Sequence, residues 1–596
     1  MKIKINKTLL FALSLSCAVV SCKKFAQVEP LSQMSINDVF ANVPNATQAL
    51  MGVYDELSGD NGYGIRLSMY FPYDADDMMT SGNNDNGRRG LGRYSLNTGN
   101  TELNAPFRQL YRGIEKANMC IEQIPQMNAY LNGSAADKKE AQRLYGEALT
   151  LRAHMFFELI RNWGDVPAPF TPSYTKTDLF LPKVNRDETY DHIISDLKTA
   201  EDLVPWKSEA GTRNERITKG AVKAIRAKIA LFRGGYSLRS TGAGSGTMQR
   251  KDDYLKYYQI ARDECFEIMQ RREEHTLNPS FENIFRTMAA HQFDPRGELL
   301  FEVGHTGGSA ASDSKLGYYN GPGINSGSRY GQGGTGIRAL PTYFYAFDSI
   351  DTRRDITITA YTIDAVNIKS TVKLNAVTDG KFRRDWSLPL IPGTINYVGY
   401  NWPIIRFSDV LLMFAEAENE IKGAATPAAV SALEEVRKRA FAGNESRIGT
   451  TPTDKAAFFN AVVRERYLEF GDEGIRKYDL IRWNLLKTKL TEARQNLTDL
   501  MNGAGAYAGL PKVIYWKNNG EEIQWLTSFY KTEPATAPSG SKSLDWVRSI
   551  VAVNISDPVN GSAFAQYFTP NKTELLPFDQ STLGAYNGAL INDYGY

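Results

Sequence analysis

The 596-residue chain is short of the groups that carry most enzyme chemistry. Its five histidines, His154, His192, His275, His291 and His305, are scattered, and none falls in an H-x-x-x-H or triad pattern. No G-x-S-x-G elbow and no P-loop occurs. The four cysteines, Cys17, Cys22, Cys120 and Cys265, show no zinc-ligand spacing with histidine. Charge of one sign is also missing: 69 basic against 67 acidic residues leave +2. Removing Met1–Ser21, with Lys2, Lys4 and Lys7 and no acids, brings this to −1. Without a basic footprint, nucleic acid is excluded as an expected partner. No hydrophobic run is long enough to span a bilayer, which takes about 20 residues. One G-x-G-x-x-G stretch, Gly331–Gly336, follows a loop rather than a strand and has Pro341 soon after, so it reads as chance.

What is present is soluble in character: 42% hydrophobic and 23% charged residues, with 31 tyrosines and 49 glycines. The length suits two or three structural units or one large elaborated one. The N-terminus has a positive region (Lys2, Lys4, Lys7) and an apolar run, Leu9–Val20. The run ends in Val19-Val20-Ser21-Cys22, which resembles the lipobox of bacterial lipoprotein signal peptides. That resemblance implies cleavage of residues 1–21, a lipid on Cys22 and membrane anchoring; Lys23–Leu31 reads as a short tether. Cys120 and Cys265 lie in helical patterns, either as small buried apolar residues or as one disulfide.

Helical periodicity dominates the rest. In Arg143–Pro169, Leu144, Ala148, Leu151, Met155 and Leu159 fall on one face, with Gly164 and Pro167 as breakers. Tyr145, Phe156, Ile160 and Trp163 widen the stripe, so neighbours are expected on more than one side. Further helices are expected from Asn45 as N-cap to Leu57, and over Phe107–Ile124, Thr189–Leu203, Thr218–Phe232, Asp252–Gln270, Pro403–Ile421, Ala425–Ala442 and Ala456–Leu485. Strands are expected at Gly297–Gly304, Thr357–Thr362 and Ile368–Leu374. Ser240–Thr247 reads as a flexible connector, Asn502–Trp525 as loop, and Tyr567–Tyr596 as a surface-wrapping tail. The expected fold class is mainly α: a degenerate tetratricopeptide-like helical repeat scaffold with an irregular loop-rich lobe and a few short strands. The expected units are 22–235, 236–296 and 297–596.

Several stretches together resemble the SusD/RagB family of outer-membrane nutrient-binding lipoproteins. They are EALTLRAHMFFELIRNWGDVPAPF, VNRDETYDHIISDLKTAEDLVP, ITKGAVKAIRAKIALF, LPTYFYAFDSIDTRRD, PIIRFSDVLLMFAEAENE, VRERYLEFGDEGIRKYDLIRW and the terminal NDYGY, in the family's order. The resemblance implies a cell-surface, lipid-anchored, non-catalytic protein that binds an oligosaccharide or a peptide. It also implies delivery to a SusC-like TonB-dependent outer-membrane barrel. No cofactor and no metal is implied.

The family's ligand loops diverge, so candidate residues come from chemistry. Two aperiodic, tyrosine- and glycine-rich loops stand out, Tyr63–Asn97 and Tyr318–Arg338. Tyr and Trp offer flat faces to sugar rings, and Asp, Asn and Arg fix hydroxyls. The candidates are Tyr73, Asp76, Asp77, Asn84, Arg88 and Tyr94 in the first loop. In the second they are Tyr318, Tyr319, Asn320, Arg329 and Tyr330, with Trp386 alongside. Asp74, Asp76, Asp77 and Asp85 do not match a calcium-loop pattern. Glu465 and Glu469, four apart, have the spacing of paired carboxylates, which would suit a glycoside hydrolase. The neighbouring arginines instead point to an ion network bracing two helices across Gly471–Gly474.

Overall fold

The computed structural model describes residues 35–242 and 244–596; the signal-like segment 1–21 and Cys22 lie outside the described residues. The scaffold is built on a row of packed helices. In chain order they are α1 (Val43–Asp55), α2 (Asn104–Gln123), α3 (Ala135–Trp163), α4 (Arg186–Leu203), α5 (Lys219–Arg233), α6 (Tyr254–Met269) and α7 (Phe281–Ala289). After the lobe come α8 (Phe407–Lys422), α9 (Pro427–Ala440), α10 (Lys455–Glu469), α11 (Arg476–Arg482) and α12 (Leu486–Asn502). The row runs α1, α2, α3, α4, α5, α6, α8, α9, with α10 also on α8.

The longest helix is α3, 29 residues and about 43 Å. It starts eight residues before the expected position because Ser134 caps it, accepting from the Asp137 amide at 3.1 Å. Gly164, at φ +83°, ends it. Every residue from Gly146 to Ile160 is buried, since α1 and α2 cover one side and α4 and α5 the other. Its buried charges are paired: Glu147 with Arg143 and Arg216, and Arg152 with Asp196.

The lobe is built on short antiparallel strands. Strand β1 (Met78–Thr80) pairs with β3 (Ile337–Ala339), which pairs with β5 (Thr378–Asp379), which pairs with β4 (Ile358–Thr359). Separately, β2 (Leu299–Val303) pairs with β6 (Trp402–Arg406). A three-stranded sheet has β7 (Val513–Asn519) between β8 (Glu522–Trp525) and β9 (Lys542–Asp545). One hydrophobic core runs through scaffold and lobe.

Several expectations change. Pro403–Arg406 is strand, not the start of α8; a short apolar run has no period that separates the two. Asn502–Trp525 contains β7 and β8, and Ser237–Gly242 pairs with Ser245–Gln249 as a hairpin. Asn42, not Asn45, caps α1, because Pro44 sits in its first turn. Cys120 and Cys265 are both buried and free. No helix among the described residues is long and apolar enough to cross a membrane.

Candidate functional site

The two aromatic loops, far apart in sequence, are stitched together by backbone. The Asp60 amide donates to the Ala310 carbonyl (2.8 Å), and the Lys315 amide donates to the Gly64 carbonyl (3.1 Å). Lys315 also pairs with the Asp60 carboxylate at 3.0 Å. Gly59 permits this approach. It sits at φ +73°, and a Cβ there would overlap the Ala311 carbonyl. Further along, β1 pairs with β3, and the Ser81 amide donates to the Gly336 carbonyl (3.1 Å).

The seam brings Arg88 onto two tyrosine faces. Its guanidinium carbon lies 5.0 Å from the Tyr319 ring centre and 5.9 Å from that of Tyr70. Tyr318 and Tyr319 form an edge-to-face pair at 5.0 Å and 70°. Arg88, Tyr318 and Tyr319 are half-buried. Neither the Arg88 guanidinium nor the Tyr318 and Tyr319 hydroxyls bond another described residue, so these polar groups remain available. Burial, then Tyr319 beside it, pushes the Tyr70 hydroxyl up to about 12, so it stays a neutral donor. Arg66 and Glu102, paired at 2.8 Å, lie in the same surroundings. Sequence reasoning passed over Tyr70, although the run Met69-Tyr70-Phe71 carries the same aromatic signal as its chosen neighbours.

The other candidates go elsewhere. Asn84 is half-buried, and its amide donates to the Asn560 carbonyl at 2.9 Å. Arg329 is exposed and pairs with Glu521 in the turn between β7 and β8 (2.7 Å), while donating to the Tyr330 hydroxyl (2.7 Å). Trp386 is buried between the guanidinium groups of Arg286 and Arg383, at 4.5 and 4.2 Å from its ring.

Tyr73, Asp76, Asp77, Tyr94 and Asn320 are buried, which departs from the expectation of a solvent-facing role. The physical reason is that these loops carry a core of their own. The Tyr73 hydroxyl donates to Asp472 (3.0 Å), and the Asn320 amide donates to Asp379 (2.6 Å). Burial raises both carboxyls, Asp379 up to about 7, and the two acids face each other. The Tyr94 hydroxyl donates to the Asp74 carbonyl at 2.7 Å, with Tyr94 itself held at φ +64°. Asp76 forms a two-pronged pair with Arg476 (2.7 and 2.8 Å). Asp77, raised to about 7 by burial and then by Asp76, accepts from the Met78 amide (2.8 Å). Asp74 and Asp85 bond amides and Arg89 instead, so the four loop acids do not converge. Among the described residues no cluster of metal-ligating side chains forms.

The Glu465/Glu469 pair is not an open acid–base couple. Glu469 is fully buried and faces Arg353 (3.1 Å), Arg406 (3.0 Å) and Arg439. Arg353 also holds Glu465 (2.6 Å), and Arg406 and Lys381 hold Glu473 (2.7 and 2.6 Å). The arginines keep the Glu469 carboxyl well below the usual range against its burial. A permanently ionised carboxylate sealed from solvent cannot serve as a general acid.

Comparison with known proteins adds a framework. A model described as "SusD family" matches residues 380–531. A second, described as "Starch-binding associating with outer membrane", matches residues 25–231. SusD-like protein P25 of Formosa agariphila is 25% identical over 512 residues, covering 78% of this chain and 88% of that one. A crystal structure of a SusD homolog from Bacteroides thetaiotaomicron superposes with TM-score 0.74 at 22% identity, covering 93% and 97%. Surface glycan-binding protein A from the same species, in complex with laminarihexaose, superposes with TM-score 0.62 at 16% identity, covering 92% and 99%. A laminarin-binding SusD-like protein superposes with TM-score 0.59 at 21% identity, covering 76% and 94%.

Proposed function

The chain belongs to the SusD/RagB family, and from this premise we propose that it is a non-catalytic glycan receptor of the outer membrane. It captures an oligosaccharide at the cell surface and passes it to a SusC-like TonB-dependent barrel. The observation that carries the reading is the seam platform: the edge-to-face pair of Tyr318 and Tyr319 and the unpaired Arg88 guanidinium, brought together by two loops. A pyranose ring offers its apolar face to Tyr319 while Arg88 donates to the hydroxyl rim. Glycan-binding relatives with the same fold support this class of ligand. The lipobox-like Val19–Cys22 and the outer-membrane description of the matching family support the location.

A peptide is the second reading, and the free Arg88 guanidinium favours it, since a forked cation suits a terminal carboxylate. Titration of the purified chain with laminarihexaose, maltohexaose and mixed short peptides separates the two. Arg88→Ala and Tyr319→Ala are each expected to weaken glycan affinity about tenfold, roughly 1.4 kcal/mol, with the fold unchanged. Peptide binding without glycan binding would transfer the platform to a peptide importer. Glycan turnover by the purified chain would overturn the non-catalytic reading.

A further inference from the structure

A second cleft, of about 780 Å³, opens between α10, α12 and the segment Thr342–Ala346. Neither Arg88 nor Tyr319 lines it. Its volume lies within the roughly 300–1,000 Å³ typical of small-molecule sites. Four tyrosines form its walls: Tyr345, Tyr467, Tyr507 and Tyr530. Three are fixed by their hydroxyls. Tyr467 donates to the Asp76 carbonyl (2.8 Å), Tyr345 to the Phe529 carbonyl (3.1 Å) and Tyr530 to the Phe347 carbonyl (3.2 Å). The Tyr345 ring meets Tyr530 at 5.7 Å and 85°, and Tyr507 at 6.3 Å and 69°. These faces are set before any ligand arrives, so little ordering cost remains.

The polar groups of the cleft fall into two sets. Charges cancel locally: Asp76 with Arg476 on the floor, and Lys489 with Glu492 (2.6 Å) at the side. Asp499 accepts from the Gln495 amide (2.9 Å), and Arg464 donates to the Ala346 carbonyl. Counting the lining, three cations face three anions. The second set is unspent. The exposed side chains of Asn460 on α10 and Asn496 on α12, and the Tyr507 hydroxyl, make no hydrogen bond to another described residue. Burial and Asp499 raise the Tyr507 hydroxyl, so it is a neutral donor and acceptor.

Rigid aromatic walls, balanced charge and unspent amide and hydroxyl groups suit an uncharged polyol. The lining as a whole carries no excess of either sign to attract a charged ligand. We propose that this cleft is a second carbohydrate site, taking a segment of neutral oligosaccharide between Tyr507, Asn460 and Asn496. It is separate from the seam platform and does not depend on it. Two sites on one body would hold a longer glycan more tightly than either alone.

The test titrates laminarihexaose and maltohexaose by calorimetry into four proteins: the full chain, R88A/Y319A, N496A/Y507F, and all four substitutions together. The cleft substitutions lie on exposed or half-buried side chains, and thermal melts confirm the fold. The expected result is a two-site isotherm in the full chain. R88A/Y319A keeps the cleft component, N496A/Y507F weakens that component tenfold or more, and the quadruple variant shows neither. Hydrogen exchange is expected to show probe-dependent protection in α10 and α12, which persists in R88A/Y319A. If N496A/Y507F titrates like the full chain, including the case in which neither binds a probe, the cleft proposal is overturned. If R88A/Y319A changes nothing while N496A/Y507F abolishes binding, the platform reading fails and the cleft stands.

Discussion

Glu469 offers the sharpest test at the scale of one side chain. Its carboxylate is shared by Arg353, Arg406 and Arg439 inside the protein, so its removal takes one ionic partner from each of three buried guanidinium groups. Glu469→Gln is expected to cost about 3–5 kcal/mol of folding stability in urea unfolding at pH 7. The folded carboxyl titrates below its ordinary value of 4.5, so its contribution is complete above that pH and is lost as pH falls toward the folded value. The gap between parent and variant should therefore narrow below about pH 4.5. Hexasaccharide affinity of the folded fraction should not move. An unchanged unfolding midpoint would refute the bracing role. The cluster was visible in the sequence as charges at helical spacing in Arg464–Trp483. Its partners Arg353, Arg406 and Arg439 come from segments that no spacing rule links. At this scale Tyr73, Tyr94 and Asn320 were the hardest to place. Aperiodic aromatic loops give no cue to which tyrosines face inward, and Tyr94 is turned there by a left-handed backbone.

Elements were legible where periodicity was long. The helices α2 and α4 through α6 fall within a few residues of their expected spans, because their apolar periodicity is sustained, while α3 begins eight residues early at its Ser134 cap. Strand β6 and the Ser237–Gln249 hairpin were not legible. The first is a short apolar run, and the second is built from Gly and Ser whose pairing is set by the partner strand. The turn after α1 joins element to function. Gly59 lets the Gly59–Gly64 turn lie against Ala310–Asp313, and this contact holds the Arg88 loop beside the Tyr319 loop. Gly59→Ala adds a Cβ at φ +73° and forces it onto the Ala311 carbonyl. The expected cost is about 2–4 kcal/mol of stability. Hexasaccharide affinity at the platform is expected to weaken about tenfold as the two loops separate. Denaturant unfolding and calorimetry measure the two effects. Loss of stability with full platform affinity would show that the seam does not position the site.

For the whole molecule, the proposed function raises the question of how the body is held at the membrane. Scaffold and lobe share one large core, the net charge is nearly balanced, and no helix among the described residues is long and apolar enough to cross a membrane. In the lipoprotein reading Cys22 is the attachment, and the thirteen residue-to-residue steps from Cys22 to Ser35 bound the reach. At about 3.5 Å per extended residue, the body stays within ~45 Å of its anchor. More than one acyl chain holds such a body stably, since each buried methylene contributes about 0.8 kcal/mol. Cys22→Ser is expected to move the chain from the membrane fraction to the soluble fraction of the producing cells. The purified variant should bind laminarihexaose with the affinity of the unlipidated parent body, because Cys22 belongs to neither the platform nor the cleft. Uptake of that glycan by the cells should fall even so, because the receptor is no longer held over its barrel. A variant that stays in the membrane fraction would show that the attachment lies elsewhere. A variant that is released with uptake intact would show that capture at the surface is not this chain's contribution to transport.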